Sequence, residues 1–127
     1  MTTAKIDLIT ENHTTGEFVL IIVEDGPWPV TNSDWTECLS RIQTRIYDAM
    51  DIAIDCHLAM KYPDAKGKKV RIPLDSPSGA PHRLIQLVSK LRELIVTDTN
   101  NYSLAIKKSP HISGLSITLG HEINPFN

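Results

Sequence analysis

Between Asp34 and Ala53 the apolar residues fall at Trp35, Leu39, Ile42, Ile46, Ala49 and Ala53. The steps between them are four, three, four, three and four. That spacing lines one face of an α-helix and no face of a strand. It predicts a long amphipathic helix over residues 34–53. At about 1.5 Å of rise per residue such a helix spans a small domain. Its stripe must be covered, so the remaining elements have to supply one complementary apolar surface.

The strands are the natural source of that surface. Lys5 to Thr10 alternates, with Ile6 and Leu8 opposite Lys5 and Asp7, and predicts an edge strand. Asn12 to Gly16 carries turn chemistry. Glu17 to Glu24 (EFVLIIVE) is apolar on both faces and rich in β-branched residues, which predicts a mostly buried central strand. The two read as an antiparallel hairpin. Gly26, Pro27 and Pro29 then stop the chain and hold Trp28 in a stiff loop. Asn32, Ser33 and Asp34 are all candidate N-caps, and Asp34 with Glu37 forms a capping-box-like start.

The end of the long helix is open on sequence grounds. IAIDCHLAM alternates like a strand, yet Ala53, Cys56 and Met60 continue the helical stripe. A stop near Ile54 followed by a short helical or irregular tail fits both, and Pro63 bounds either version. DAKGKK reads as an exposed turn. Val70, Ile72 and Leu74 alternate as a third strand, and Pro73, lacking an N–H, is expected at an edge or a bulge. A second helical stripe follows at Leu84, Leu87, Val88, Leu91, Leu94 and Ile95. Ser103 to Ile106 is expected as a short strand, and Leu115, Ile117 and Leu119 as the last one. The order is β-β-α-β-α-β. The expected fold is an α+β two-layer sandwich, two helices on a small mixed sheet, in one domain over residues 1–127.

Composition narrows the function classes. No run of about 18 apolar residues occurs, so no membrane-spanning helix is expected. Met1 to Lys5 is polar and offers no apolar signal core, so the expected location is cytoplasmic. Cys38 and Cys56 are expected as two reduced, buried thiols. The net charge of −2 argues against direct nucleic-acid binding. The charge is unevenly spread: residues 1–55 hold ten acids against three bases, and residues 56–127 hold ten bases against five acids.

No cofactor or metal motif is present. The five histidines are scattered and the cysteines lie 18 apart. The basic group Lys61, Lys66, Lys68, Lys69 and Arg71 lacks interleaved aromatics and reads as a solvated turn beside a lysine-protected edge strand. DSPSGAP, with Ser76, Ser78, Gly79 and His82, offers an anion-binding alternative at a helix start. It lacks the lysine of a phosphate loop and the elbow of a serine hydrolase. The more informative feature is the polar face of the long helix, which carries Glu37, Thr44, Asp48, Asp51 and Asp55. Glu37 with Arg41, and Arg45 with Asp48, are spaced to pair. Asp51 and Asp55 have no basic partner within the helix, and they sit where the macrodipole disfavours carboxylates. Asp48 and these two could alternatively hold Mg²⁺.

IDLI, a loop to Gly16, LIIVEDGPW, a long helix and YPDAKGKKVRI together resemble an uncharacterised bacterial family of small α+β proteins. The resemblance covers about residues 5–75, departs at IAIDCHL and DSPSGAP, and implies no activity. More loosely, a small chain with an acidic face resembles the immunity proteins of contact-dependent bacterial toxins. The expectation is therefore a non-enzymatic protein-binding domain that occludes a basic partner such as a nuclease toxin. Asp25, Trp28, Asp48, Asp51 and Asp55, with Glu24 as an alternative to Asp25, are the partner-binding residues. The alternatives are a small anionic-ligand domain or enzyme using DSPSGAP, and a structural homo-oligomer. No membrane partner is expected.

Overall fold

The computed structural model describes residues 6, 8–24, 27–76, 79–97 and 101–119. The elements are β1 (Leu8–Asn12), β2 (Glu17–Val23), α1 (Asn32–Ile54), α2 (His57–Lys61), β3 (Lys68–Asp75), α3 (His82–Val96), α4 (Asn101–Lys108) and β4 (Ile112–Leu119). One 3-10 turn, Pro63–Ala65, joins α2 to β3.

α1 begins two residues earlier than expected. Its N-cap is Thr31, whose hydroxyl accepts from the Asp34 N–H at 3.2 Å. The three candidate caps therefore lie inside the first turn, and Asp34 takes the position the macrodipole favours. The helix stops at Ile54, and a short helix follows after two residues, as the mixed pattern of IAIDCHLAM allowed. Ser109 Oγ donates to the Ile54 carbonyl at 2.7 Å. That bond satisfies one of the orphan acceptors every helix end leaves.

The sheet order is β1-β2-β3-β4, with β1 antiparallel to β2 and both other pairs parallel. Each parallel pair needs a crossover, which α1 and α3 provide. Two right-handed crossovers that step the same way leave both helices on one face of the sheet. The packing agrees. Ile42, Ile46, Ala49, Met50 and Ala53 of α1 share one core with Leu84, Val88 and Leu91 of α3 and with Leu20, Ile22, Ile72, Leu74, Ile117 and Leu119 of the strands. The result is a two-layer α+β fold, with α2 and α4 added to the helical layer.

Four expectations about the elements need correction. β1 runs from Leu8 to Asn12 rather than Lys5 to Thr10; Lys5 and Asp7 lie outside the described residues. The hairpin loop lies where expected, with the Asn12 side chain accepting from the Thr14 N–H at 3.0 Å and Gly16 closing the turn at φ +76°. β3 is an inner strand, not an edge. Its pairing with β4 continues through Pro73 and Thr118, and a shift occurs instead at Lys68/Lys69. The pairing with β2 lapses between Val19/Arg71 and Ile22/Leu74, then resumes in the same register. The lapse falls where Pro73 has no N–H to donate, so burial of Ile72, Pro73 and Leu74 outweighs one lost ladder bond.

The segment expected as a strand at Ser103–Ile106 is helical, part of α4. Ser103 is buried and Tyr102 and Ile106 are half-buried, which is helical spacing in a segment too short for periodicity to stand out. Finally, both cysteines are reduced, but only Cys38 is partly covered and Cys56 is exposed. Cys56 sits at the break between α1 and α2, where the stripe no longer faces the core. Among the described residues no helix is long and apolar enough to cross a membrane.

Candidate functional site

The lengthwise charge imbalance largely cancels within the sheet. Lys68 Nζ pairs with Glu11 at 2.5 Å and Arg71 with Glu17 at 3.3 Å, so bases of β3 meet acids of β1 and β2. The Glu11 carboxyl is held below the usual range by its hydrogen bond from Lys68. The lysine-rich turn is thus partly neutralised on its strand side.

The imbalance does not cancel on α1. The pairs expected within the helix, Glu37 with Arg41 and Arg45 with Asp48, do not form. Both arginines turn instead to Glu24, which leaves β2 buried at 7% exposure. Arg41 donates to both Glu24 oxygens at 2.7 and 3.1 Å, and Arg45 donates to Oε2 at 2.5 Å and to the Val23 carbonyl at 3.1 Å. A buried carboxylate needs such partners, and a bidentate guanidinium is the strongest available. Glu24 is therefore a clamp between the sheet and α1, not a partner-binding residue.

Burial opposes ionisation of Glu24 and is the largest single influence. The hydrogen bonds and charges of Arg41 and Arg45 together outweigh it and hold the carboxyl below its ordinary value. A depressed acid contributes stability that is fully present above the unfolded value and lost as pH falls through the folded one. Glu24→Gln is expected to cost about 2 kcal/mol near neutral pH, discounted because Arg41 is largely exposed. The difference from the parent should shrink below about pH 4. Urea unfolding at the two pH values checks both statements; an equal cost at low pH would contradict the clamp.

With its bases committed to Glu24, the C-terminal half of α1 keeps its carboxylates uncompensated. Asp48 is half-buried, and Asp51 and Asp55 are exposed. None of the three makes an ion pair with another described residue. α4 packs beside them. The Tyr102 hydroxyl donates to Asp51 Oδ1 at 3.2 Å, and its ring stacks on Tyr47 of α1, with centroids 5.1 Å apart and planes 9° from parallel. The Asp51 carboxyl is raised above its usual value. Partial burial is the main cause, the Tyr102 bond opposes it, and the charges of Asp55 and Asp48 add to it. Burial, then the Asp51 charge, push the Tyr102 hydroxyl up to about 12. The three acids thus repel one another. No three His, Cys, Asp or Glu side chains converge as a metal site among the described residues, so the Mg²⁺ alternative at Asp48, Asp51 and Asp55 has no geometry behind it.

The other predicted residues scatter. Asp25 and Ser78 lie outside the described residues. Trp28 is half-buried and stacks on Trp35, with centroids 5.9 Å apart and planes 7° from parallel. Trp35 precedes Asp48 by thirteen residues, about 20 Å of helix, so Trp28 does not border the acids. Ser76 Oγ donates to the Gly79 carbonyl at 2.7 Å and the Gly79 N–H returns to the Ser76 carbonyl at 2.9 Å. The Ser76 hydroxyl is thereby spent on the Gly79 backbone. His82, the first residue of α3, is exposed and makes no hydrogen bond to Ser76.

Two groupings escaped the sequence. Tyr102 meets Asp51 across 51 positions, and no local pattern announces it. Arg83 and Lys90, seven apart on the flank of α3, line a groove with Leu39 of α1; that repeat was visible, but its facing wall was not. Comparison of the chain with family models, with curated proteins and with solved structures returned no match.

Proposed function

We propose that this chain is a non-enzymatic protein-binding domain that receives a basic protein surface on the outer face of α1 through Asp48, Asp51 and Asp55. The observation that carries the reading is the commitment of Arg41 and Arg45 to Glu24. The helix holds the bases that could neutralise its acids and spends them elsewhere. Like charges three and four residues apart cost a helix a few tenths of a kcal/mol each, and a cationic partner would relieve that cost. Occlusion of a basic protein such as a nuclease toxin, in the manner of an immunity protein, is the specific form of the reading. Asp25 belongs to it by charge alone, and Trp28 is left out because its ring is already stacked.

The test is affinity capture from a lysate of the source organism at low and at moderate salt, with mass spectrometry of the retained material. One stoichiometric basic protein, released as salt rises, is the expected result, because contacts between exposed charges are screened within about 10 Å at 0.1 M salt. Capture that ignores salt, or that is undiminished by Asp48→Asn with Asp51→Asn and Asp55→Asn, would count against it.

A further inference from the structure

A concave surface lies between α1 and α3, lined by Leu39, Arg83, Gln86, Leu87 and Lys90, with a volume of about 430 Å³. That volume is in the range of small-ligand pockets, roughly 300 to 1,000 Å³. Its chemistry is one-sided: two leucines, one amide, two cations and no carboxylate. On α3 the order is cation, leucine, cation, at Arg83, Leu87 and Lys90. Seven residues of helix separate the cations by about 10 Å along the axis, with Leu87 between them.

The two cations differ in how they are held. The Arg83 guanidinium is fixed: it donates to Asn32 Oδ1 and lies 5.6 Å from the centroid of the Trp35 ring. Trp35 is itself backed by Trp28. One donor of the fork is used, and the rest are open to an anion without ordering a flexible side chain first. Lys90 is exposed and has no ion pair among the described residues. Its long stem can close over whatever the leucines hold.

We propose that this groove binds a small amphiphilic anion, with its carboxylate or sulfonate on Arg83 and an aromatic or branched aliphatic body on Leu39 and Leu87. The site is independent of the acidic face of α1, and it replaces the DSPSGAP loop as the place where this chain meets an anionic small molecule. Charge complementarity argues for the anion, and the partly exposed Leu39 beside the edge of Leu87 argues for an apolar body. Leu39 is half-buried and Leu87 is only 9% exposed, so Leu39 supplies most of the apolar contact, which a simple phosphate would not use.

The chain provides its own reporter, because its only two tryptophans form the stack beside Arg83. The probe is 8-anilinonaphthalene-1-sulfonate, an aromatic sulfonate that accepts energy from tryptophan. Saturable transfer to the full chain is expected. Lys90→Glu should weaken binding about 5-fold, Arg83→Gln about 10-fold or more, and the neutral N-phenyl-1-naphthylamine should bind about 10-fold more weakly than the sulfonate. Should Arg83→Gln fail to fold, Lys90→Glu and the neutral dye still decide. Equal binding of the two dyes, or sulfonate binding by Lys90→Glu as tight as by the parent, would overturn the proposal.

Discussion

Ile46→Ala is expected to lower the unfolding free energy by about 3 to 4 kcal/mol. Ile46 is fully buried at the middle of the α1 stripe and belongs to the core shared by both crossover helices and the inner strands. The substitution deletes three carbons, worth roughly 2.4 kcal/mol of transfer at about 0.8 per methylene. The remainder is the cavity, which a sheet on one side and a long helix on the other cannot close by a small local shift. Urea unfolding should show the midpoint falling with the slope unchanged. Leu104→Ala, on an α4 side chain that is 40% exposed, should cost well under half as much. A loss at Ile46 below about 1 kcal/mol would mean that the stripe does not seat on the sheet as described.

The parts of the fold that were legible in the sequence are those set by one periodicity over many residues. Six stripe positions in α1, six in α3 and the apolar run in β2 each repeat a single geometric rule, and each element appears where that rule points. The parts that failed are those in which two rules compete. Pro73 obeys the rule against inner strands only locally. Its neighbours Ile72 and Leu74 are fully buried, and burying three consecutive side chains outweighs one missing ladder bond. Ser103 to Ile106 spans one turn of helix or four residues of strand, and over that length the two periods cannot be told apart. Cys56 was expected inside because it continues the stripe, but the helix ends before it.

For the candidate site the limit was different. The acids of α1 were legible as a row, because their identities and spacing alone define it. What they pair with was not. Arg41 and Arg45 stand at the right spacing for Glu37 and Asp48, and surface pairs of that kind are worth only about 0.3 to 0.5 kcal/mol. Glu24, once carried into the core by β2, cannot remain ionised there without partners. Satisfying it is worth several times more, so it takes both arginines. The outcome follows from ranking the two magnitudes, but only after the topology brings the end of β2 beside the middle of α1. The same holds for Tyr102, which reaches Asp51 only because the second crossover sets α4 against the end of α1.

Replacing Asp48, Asp51 and Asp55 together by asparagine is expected to move stability and binding in opposite directions. Partner affinity should fall about 100-fold, or roughly 2.7 kcal/mol, measured by titration against the captured partner at low salt. The unfolding free energy near neutral pH should rise by a few tenths to about 1 kcal/mol. Asparagine keeps an acceptor for Tyr102 and removes the charges that repel. The sign is set by Asp51, whose folded value is raised. Above both its folded and unfolded values its ionised form is disfavoured by the fold, and the fold recovers that cost as pH drops through the raised value. The gain in the triple variant should therefore shrink toward acid pH. Ordinary solvated acids would leave binding unchanged, whatever small gain in stability their removal brings. Acids kept for the fold would show a loss of stability. Only acids retained for a cationic partner make the chain more stable when removed and less able to bind, which separates this reading from both alternatives in one pair of measurements.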